Sequence, residues 1–378
     1  MTDLREQLTQ FAAQDFSAAL TAPPGIYSST DLYAVEREKI FSREWVCAGR
    51  TQEIPEGGDY LVTSLEEQSI IVVRQTDGGV KALSNICLHR CAQLLQCSGN
   101  IKSIVCPYHA WVYRLDGRLS NTVHMEHSPD FDQASQQLPE VRSEVWQGFI
   151  YITLNADAAP VSILLSEFEH IVRDYQLQDY VHAFTYEERW PANWKCFVEN
   201  YLDAYHVFKV HKKTFGAYGS FESETEMFDG GSQYTYHLIV GDETEVYRAN
   251  PADSVAHPNN TSLQNQWRAT TVLAAVFPTQ TMQIQPDLLW YVTVLPDGVD
   301  HFSMRWSVSV PPEIMQDAAA ADYVEAARRL ICAVNAEDEA IIQRVYDGSK
   351  DPKAARGPYS WLERNVFQFG RYLARMVN

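Results

Sequence analysis

The spacing of apolar residues divides the chain into a helical start, a strand-rich middle and a mixed second half. Apolar residues recur at helical intervals in residues 3–20 and again in 30–41, so both segments are predicted to be helices. Between residues 45 and 152 the apolar runs are short, β-branched and bounded by Gly, Asp or Glu. This pattern predicts an all-β module, with a hairpin turn at Asp116-Gly117.

The second half of the chain has the pattern of an α+β fold, with strands followed by a long helix. Helices are predicted over 162–180, 198–213, 317–346 and 361–376, and strands over 233–240, 270–277, 282–285, 290–295 and 301–310. A chain of 378 residues is too long for one ordinary core, so two domains are expected.

Composition narrows the classes of partner and compartment. The net charge of −19 makes nucleic acid and anionic membranes poor partners. No apolar run is long enough to predict a transmembrane helix, and the first residues lack a secretory signal pattern. Seven cysteines without regular spacing do not suggest a disulfide framework, so we expect a cytoplasmic protein in which Cys-His clusters bind metal.

Two Cys-His pairs in the β module have the composition of an iron–sulfur site. The first reads Cys87-Leu-His89 and the second reads Cys106-Pro-Tyr-His109. A Rieske-type [2Fe–2S] cluster needs two thiolates on one iron and two imidazoles on the other, and the neutral imidazoles raise its reduction potential. The two pairs therefore predict a one-electron carrier site.

Zinc is the alternative metal that four such residues could bind, and Cys91 and Cys97 could then compete as ligands. The β-rich context and the neighbouring Trp111 and Tyr113, which can shield a cluster from water, favour iron–sulfur over zinc. On that interpretation Cys91 and Cys97 are expected to be small buried side chains.

A second constellation lies in residues 190–211, where His206 and His211 follow Asp203. Two histidines and one carboxylate can hold iron(II) and leave positions open for O₂ and substrate. Residues five apart are about 500° apart around a regular helix, so the histidines converge only if the helix is interrupted, and a distortion is predicted near 208–210. Asp203 lies on the His206 face and could accept its imidazole N–H.

Both motifs, in this order, resemble those of Rieske non-haem iron oxygenase α subunits, the family of the ring-hydroxylating dioxygenases. The segment from Glu199 to His206 looks most similar to the branch that acts on choline, carnitine and betaines. The late acidic segment 335–348 also resembles the family pattern and places Asp338 at the third iron-ligand position. Glu337 and Glu339 are the competing choices.

The resemblance implies a domain plan and an assembly. Residues 42–155 would form the Rieske domain, residues 156–378 a helix-grip-like catalytic domain with an antiparallel sheet flanked by helices, and residues 1–41 helices packed on that domain. It implies a homotrimer in which Asp203 bridges the metal sites of neighbouring subunits. A separate flavin- and iron–sulfur-containing reductase would supply NAD(P)H-derived electrons, because the chain lacks a dinucleotide-binding motif.

The substrate is predicted from aromatic residues near the iron motif. Tyr201, Tyr205, Phe208 and Trp290 are candidate pocket residues, and Asn200 is a candidate supporting residue. An aromatic box suits a quaternary ammonium by cation–π attraction and a flat ring by stacking. We expect oxidation of a small quaternary ammonium or N-methylated compound. The alternatives are hydroxylation of an aromatic ring or acid, and a Rieske electron carrier without oxygenase activity.

Overall fold

The computed structural model describes residues 4–215, 224–242 and 244–378, and these divide into two units. One unit is Phe41–Val161, and the other combines Met1–Ile40 with Ser162–Asn378. None of the described helices combines the length and the apolar character needed to cross a membrane.

The Phe41–Val161 unit is built from antiparallel strands. Its described residues form a seven-stranded sheet in the order β1-β10-β9-β4-β3-β2-β5 and a separate three-stranded sheet, β6-β7-β8. The strands are β1 Val46–Arg50, β2 Asp59–Leu65, β3 Gln68–Arg74, β4 Val80–Ser84, β5 Gly99–Asn100, β6 Ile104–Val105, β7 Val112–Tyr113, β8 Leu119–Asn121, β9 Glu140–Trp146 and β10 Phe149–Thr153.

Local sequence explains the hairpins of this unit. The predicted turn at Asp116-Gly117 is confirmed between β7 and β8, where Gly117 has a φ of +87° that a side chain would strain. Gln147 and Gly148, both with positive φ, join β9 to β10 as the two-residue turn that matches strand twist. The all-β prediction for this part of the chain is confirmed.

The second unit carries a seven-stranded antiparallel sheet, as its described residues show, in the order β11-β17-β16-β15-β14-β13-β12. Its strands are β11 Val181–Trp190, β12 Thr225–Met227, β13 Tyr234–Val240, β14 Thr270–Val276, β15 Gln280–Ile284, β16 Leu289–Pro296 and β17 Phe302–Val310. The α-helices within the described residues are α1 Leu4–Ala12, α2 Thr30–Glu36, α3 Val161–Leu164, α4 Ser166–Val172, α5 Trp194–Leu202, α6 Val207–Val210, α7 Pro312–Met315, α8 Ala320–Ser349 and α9 Arg364–Val377.

Helix α5 lies between the sheet and the long helices. It begins at an Asn193 cap, whose side chain accepts the Lys195 N–H, and most of its residues are buried. It packs on β14, β15 and β16 on one side and on α8 and α9 on the other. Buried on several faces, α5 holds its C-terminal end in a fixed position on the sheet.

The predicted helix over 198–213 is two helices in the structure. Helix α5 ends at Leu202, and Asp203 has extended backbone angles. The Asp203 Oδ1 accepts the N–H of Tyr205 at 2.7 Å and of His206 at 3.3 Å. These hydrogen bonds from the Asp203 side chain to the backbone compete with helical hydrogen bonds. Helix α5 therefore ends at Leu202, and α6 begins at Val207.

Other boundaries also differ from the sequence-based expectation. The helix expected over 162–180 is divided into α3, α4 and two 3₁₀ turns. The short strand β12 was not predicted. Strand β11 was not predicted either, because its apolar and polar residues do not alternate regularly and only Trp190 among its ten residues is buried. It pairs with β17 along its whole length and is stabilised by that partner.

A buried ion pair ties the N-terminal helices to α5. The Lys195 Nζ lies 2.7 Å from the Glu36 Oε1, and both side chains are 1% exposed. The Trp194 indole N–H donates to the other Glu36 oxygen at 3.0 Å. Because both charges are removed from water, each depends on the other for compensation.

Replacing Lys195 by Met should therefore lower the free energy of unfolding by about 3–5 kcal/mol, since the Glu36 carboxylate would lose its buried partner. The double variant Lys195→Met/Glu36→Gln should recover most of this loss, because a neutral amide still accepts the indole N–H. Urea denaturation of each variant measures both effects.

The matched control is Lys350→Met, which removes a partly exposed partner of Asp347 and should change the unfolding free energy by less than about 1 kcal/mol. Equal effects of the two lysine substitutions would contradict the argument.

Candidate metal centres

Three side chains converge at one end of α5 and α6. Ligand atoms of His206, His211 and Asp338 all lie within 4.8 Å of one another. The two Nε2 atoms are 3.1 Å apart, and the Asp338 Oδ1 lies 3.5 Å from the His206 Nε2 and 3.1 Å from the His211 Nε2. We call this group the triad. Two imidazoles and one carboxylate form the donor set of a facial metal site with open positions.

A hydrogen bond at the Nδ1 of His206 and another at the Nδ1 of His211 determine which ring nitrogen is left to bind a metal. The His206 Nδ1 lies 2.6 Å from the Asp203 main-chain oxygen, and the His211 Nδ1 lies 3.0 Å from the Glu337 Oε2. Both partners only accept, so in the neutral imidazoles each Nδ1 carries the proton and each Nε2 carries a lone pair. Two lone pairs that point at one carboxylate oxygen need a cation between them.

The charges of the triad also favour a cation. Burial lowers the pKa of His206, but the Asp203 and Asp338 carboxylates outweigh it and raise that pKa to about 9. Burial raises the pKa of Asp338, but His206 and His211 lower it to about 2. A metal ion would replace the proton that these charges attract.

The contacts within the triad are those expected between the ligands of one metal ion. The Asp338 Oδ1 is buried and has no hydrogen-bond partner, although the His211 Nε2 lies only 3.1 Å away. Such a contact between two groups that both present lone pairs is unfavourable by itself. The observed donor set therefore fits a bound divalent metal.

The distortion predicted near 208–210 lies elsewhere. Residues 207–210 form the single regular turn of α6, with His206 just before it and His211 at its end. The irregular backbone is at residues 203–206 and after the turn. The backbone between them is helical: the Val210 N–H donates to the His206 carbonyl, and the His211 N–H donates to the Val207 carbonyl. The imidazole side chains themselves therefore bring the two Nε2 atoms together across one turn, with no interruption between the histidines.

A cavity of about 270 Å³ opens beside the triad. Asn200, Tyr201 and Trp290 line it, where the sequence analysis places candidate binding residues. Tyr205 and Phe208 are not among its lining residues and are 48% and 62% exposed. The break after α5 turns these two rings outward, so the structure gives them no place in the cavity.

Three residues of the catalytic unit, Glu337, His237 and Glu199, have roles that the sequence did not predict. Glu337, considered above as a competing ligand, holds the His211 ring and accepts the Thr214 hydroxyl at 2.8 Å. His237 lines the cavity, and burial lowers its pKa to about 4. Burial raises the pKa of Glu199 to about 7, and the Tyr27 hydroxyl donates to it at 2.5 Å. Of these residues, only Glu337 could have been found from the sequence, because it directly precedes the proposed ligand Asp338.

The two Cys-His pairs lie in loops with the same backbone design. In residues 87–92 and 106–111 the cysteine N–H donates to the carbonyl five residues on, and the N–H four residues on donates back to the cysteine carbonyl, at 2.8–3.1 Å. Cys91 and Ala110, at equivalent places, both have a φ near +55°. Such repeated strain in non-glycine residues indicates a built site.

The side chains of these loops fit a cluster held between thiols and imidazoles. Cys87 and Cys106 are buried, and burial raises the pKa of the Cys87 thiol. The His89 and His109 rings are 4.6 Å apart, and the His109 Nδ1 is buried without a partner. A lone pair that no protein donor satisfies is what a metal ligand presents.

Aromatic residues shield one side of this site. The Tyr113 hydroxyl lies 3.2 Å from the Cys87 Sγ, and Trp111 stacks on His89 with centroids 4.8 Å apart. Cys91 and Cys97 are exposed, which contradicts the expectation that they are buried. The positive φ at Cys91 turns its side chain away from the core formed around Cys87.

A strand-rich unit with paired thiols and imidazoles, and a second unit with a two-histidine, one-carboxylate group, define the class of proteins that join a Rieske domain to a mononuclear metal domain. The chain belongs to the ring hydroxylating alpha subunits: their catalytic-domain model matches residues 177–378, and the Rieske [2Fe–2S] domain model matches residues 44–137. The chain therefore carries a Rieske [2Fe–2S] domain and a catalytic non-haem iron domain.

Several relatives are named for quaternary ammonium compounds. The carnitine monooxygenase oxygenase subunit of Acinetobacter pittii (strain PHEA-2) is 32% identical over 52% of this chain and 55% of its own length. The glycine betaine monooxygenase oxygenase subunit of Pseudomonas aeruginosa (strain UCBPP-PA14) is 33% identical over 53% and 46%. These matches span about half the length of each relative. Chloroplastic choline monooxygenase of Beta vulgaris is 26% identical over 94% of this chain and 76% of that protein.

Solved structures share the fold. Naphthalene 1,2-dioxygenase from Rhodococcus sp., bound to indole, has a TM-score of 0.84 and 21% identity and covers 100% of this chain and 98% of its own. A quaternary ammonium Rieske monooxygenase in complex with L-carnitine has a TM-score of 0.77 and 21% identity over 98% of both chains. The predicted α+β architecture is confirmed.

Glu337→Leu should weaken iron binding by about 10- to 100-fold, because the His211 ring would lose the acceptor that fixes its tautomer. Glu337→Gln should retain more affinity, since its amide oxygen can still accept. Iron content after dialysis against a graded chelator measures the difference. Glu339→Gln, at the neighbouring position on α8, is the control, and an equal loss there would contradict the assignment.

Proposed function

We propose that this chain is the terminal oxygenase component of a Rieske non-haem iron oxygenase and oxidises a small quaternary ammonium or N-methylated compound with O₂ and NAD(P)H-derived electrons. The observation that carries the proposal is the triad, in which two fixed imidazole lone pairs and an unpartnered carboxylate oxygen share one point. A Rieske electron carrier has no use for such a site.

We assign the metal ligands by residue. Cys87, His89, Cys106 and His109 would hold the [2Fe–2S] cluster, and His206, His211 and Asp338 would hold Fe(II). When bound, the cluster supplies one-electron transfer and the iron supplies O₂ activation. Glu339 is outside the described group within 4.8 Å, and Glu337 is occupied by His211 and Thr214.

The chain's own groups prepare this site for chemistry. The Asp203 carbonyl and the Glu337 carboxylate hold the two imidazole protons, so the ligand geometry is set before metal binds. Three protein ligands leave coordination positions open toward the cavity. The walls of the cavity are mainly apolar in surface area.

The domain plan assigns residues 42–155 to the Rieske domain and residues 156–378 to the catalytic domain, with residues 1–41 packed on the latter. The division of the structure at Phe41 and Val161, with Met1–Ile40 grouped with the second unit, supports this plan. The Lys195–Glu36 ion pair and the Tyr27–Glu199 hydrogen bond support the place of the N-terminal helices.

The proposed assembly is a homotrimer in which each Rieske domain docks on a neighbour's catalytic domain. Two exposed apolar surfaces support it: Leu88 and Tyr108 beside the cluster ligands, 37% and 56% exposed, and Tyr205 and Phe208 beside His206. Covering both with copies of the chain requires a head-to-tail contact, which closes into a ring. The name of one structural relative refers to inter-subunit electron transfer.

Asp203 is proposed as the bridge between subunits. Its carboxylate is 23% exposed, and its Oδ2 lies 3.5 Å from the His206 Nδ1. It could therefore accept a hydrogen bond from a histidine of the neighbouring Rieske domain. The electrons would come from a separate flavin- and iron–sulfur-containing reductase. We also propose a cytoplasmic location, which fits seven free cysteines.

The first test combines metal analysis with a turnover screen. Anaerobically purified protein should contain about three irons per chain, two in the cluster and one at the triad. His206→Ala should lose one iron, keep its red-brown colour and lose turnover. With a reductase and NADH, trimethylammonium compounds should stimulate O₂ uptake. Stimulation by aromatic acids or rings alone would favour ring hydroxylation, and a colourless, iron-free protein would contradict the proposal.

Asp203→Asn should retain both metals and lower turnover on the order of 100-fold, because the amide keeps the capping oxygen but loses the bridging charge. Iron content and the spectrum of the reduced cluster check the metals, and substrate-dependent O₂ uptake checks turnover. Normal turnover in this variant would remove Asp203 from the electron path.

A further inference from the structure

The charged side chains that line the cavity beside the triad are acidic. Apart from the triad and Asp203, three carboxylates line it, those of Glu224, Glu245 and Asp253. No lysine or arginine of the described chain is among the lining residues, and residues 216–223 and 243 contain neither in sequence. A carboxylate that entered the cavity would leave water and find no cationic side chain to pair with.

Unpartnered aromatic groups mark the cavity as a ligand site. Trp290 is only 6% exposed, and its Nε1 is buried without a hydrogen-bond partner. The ring of Tyr201 lies 6.2 Å from it at 71°, and its hydroxyl is likewise buried and unpartnered. Two rings at this angle form a corner that suits a round methylated cation better than a flat ring, which stacks on a single face.

A histidine adds a neutral acceptor to the same cavity. The His237 Nδ1 lies 3.0 Å from the Asn365 Oδ1. The Asn365 Nδ2 donates to the carbonyls of Phe228 and Tyr236 and to the Thr235 hydroxyl, which fixes Oδ1 as the acceptor. His237 therefore carries its proton on Nδ1 and a lone pair on Nε2. Because His237 lines the cavity, this lone pair is available to a substrate O–H or N–H.

We propose that the cavity selects a quaternary ammonium compound that carries a hydroxyl and no carboxylate, and that it discriminates against zwitterionic betaines. Glu224 and Asp253 would balance the cation, Trp290 would contact its methyl groups, and the His237 Nε2 would accept the hydroxyl proton. This inference rests on the proposed function and specifies the substrate class of that site.

The first experiment needs no variant. Anaerobic calorimetry on the iron-loaded enzyme compares choline with glycine betaine, which has a carboxylate in place of the hydroxymethyl group, and with 3,3-dimethylbutan-1-ol, the uncharged isostere. Choline should bind at least about tenfold more tightly than either. Equal or tighter binding of glycine betaine, or equal binding of the neutral alcohol, would overturn the proposal.

Variants then assign the selectivity to residues. Glu224→Gln and Asp253→Asn should each reduce the preference of the enzyme for choline over the neutral alcohol by about threefold or more. Asp253→Asn keeps an oxygen that can accept from Asn250. Glu226→Gln, on the exposed side of β12, is the matched control and should leave the preference unchanged. An unchanged preference in both cavity variants would contradict the assignment.

His237→Leu tests the hydroxyl contact separately. It should weaken choline binding about tenfold and leave tetramethylammonium binding almost unchanged, because the latter has no hydroxyl. Equal losses for both ligands would indicate general damage to the cavity and would overturn the role of His237.

The same panel separates this inference from the proposed function. If glycine betaine or carnitine binds best and drives O₂ uptake, the oxygenase proposal stands and the present inference fails. If no ammonium compound binds and aromatic rings drive O₂ uptake, the proposed substrate class fails as well.

Discussion

The local hydrogen bonds of Asp203 are the constraint on which the catalytic unit depends. Its Oδ1 takes the N–H groups of Tyr205 and His206, and this ends α5 at Leu202. Without that interruption α5 would continue past Leu202 and carry both histidines along its own axis. The break gives the turn of α6 a direction of its own, and His206 and His211 at the two ends of that turn meet Asp338 on α8.

The rest of the unit keeps this short irregular segment in place. Helix α5 is held from one side by the sheet and from the other by α8 and α9, and the Lys195–Glu36 pair links it to the N-terminal helices. Fixed elements on both sides allow a loop to hold ligands at a defined separation. The cavity forms in the space that the sheet, the interrupted helix and α8 leave beside the triad.

Sequence reasoning reached the elements whose signals are local. Hydrophobic periodicity predicted strands β13 to β17 of the second sheet and the long helix, but not β11 or β12, and the Asp116-Gly117 pair predicted its hairpin. Residue type and spacing singled out Cys87, His89, Cys106 and His109. It did not reach the break after α5 that turns Tyr205 and Phe208 outward, because the capping role of Asp203 was not part of the predicted helical pattern. It could not reach the Asn365 contact that fixes His237, because that contact joins residues 128 positions apart in sequence.

The acceptor of the His206 ring proton is a main-chain oxygen rather than the Asp203 carboxylate, and this separates two requirements at one position. Any residue supplies that carbonyl, so the tautomer of the metal-facing imidazole does not depend on the side chain at 203. A change of side chain at 203 would therefore alter the turn that ends α5 while leaving the imidazole proton its main-chain acceptor.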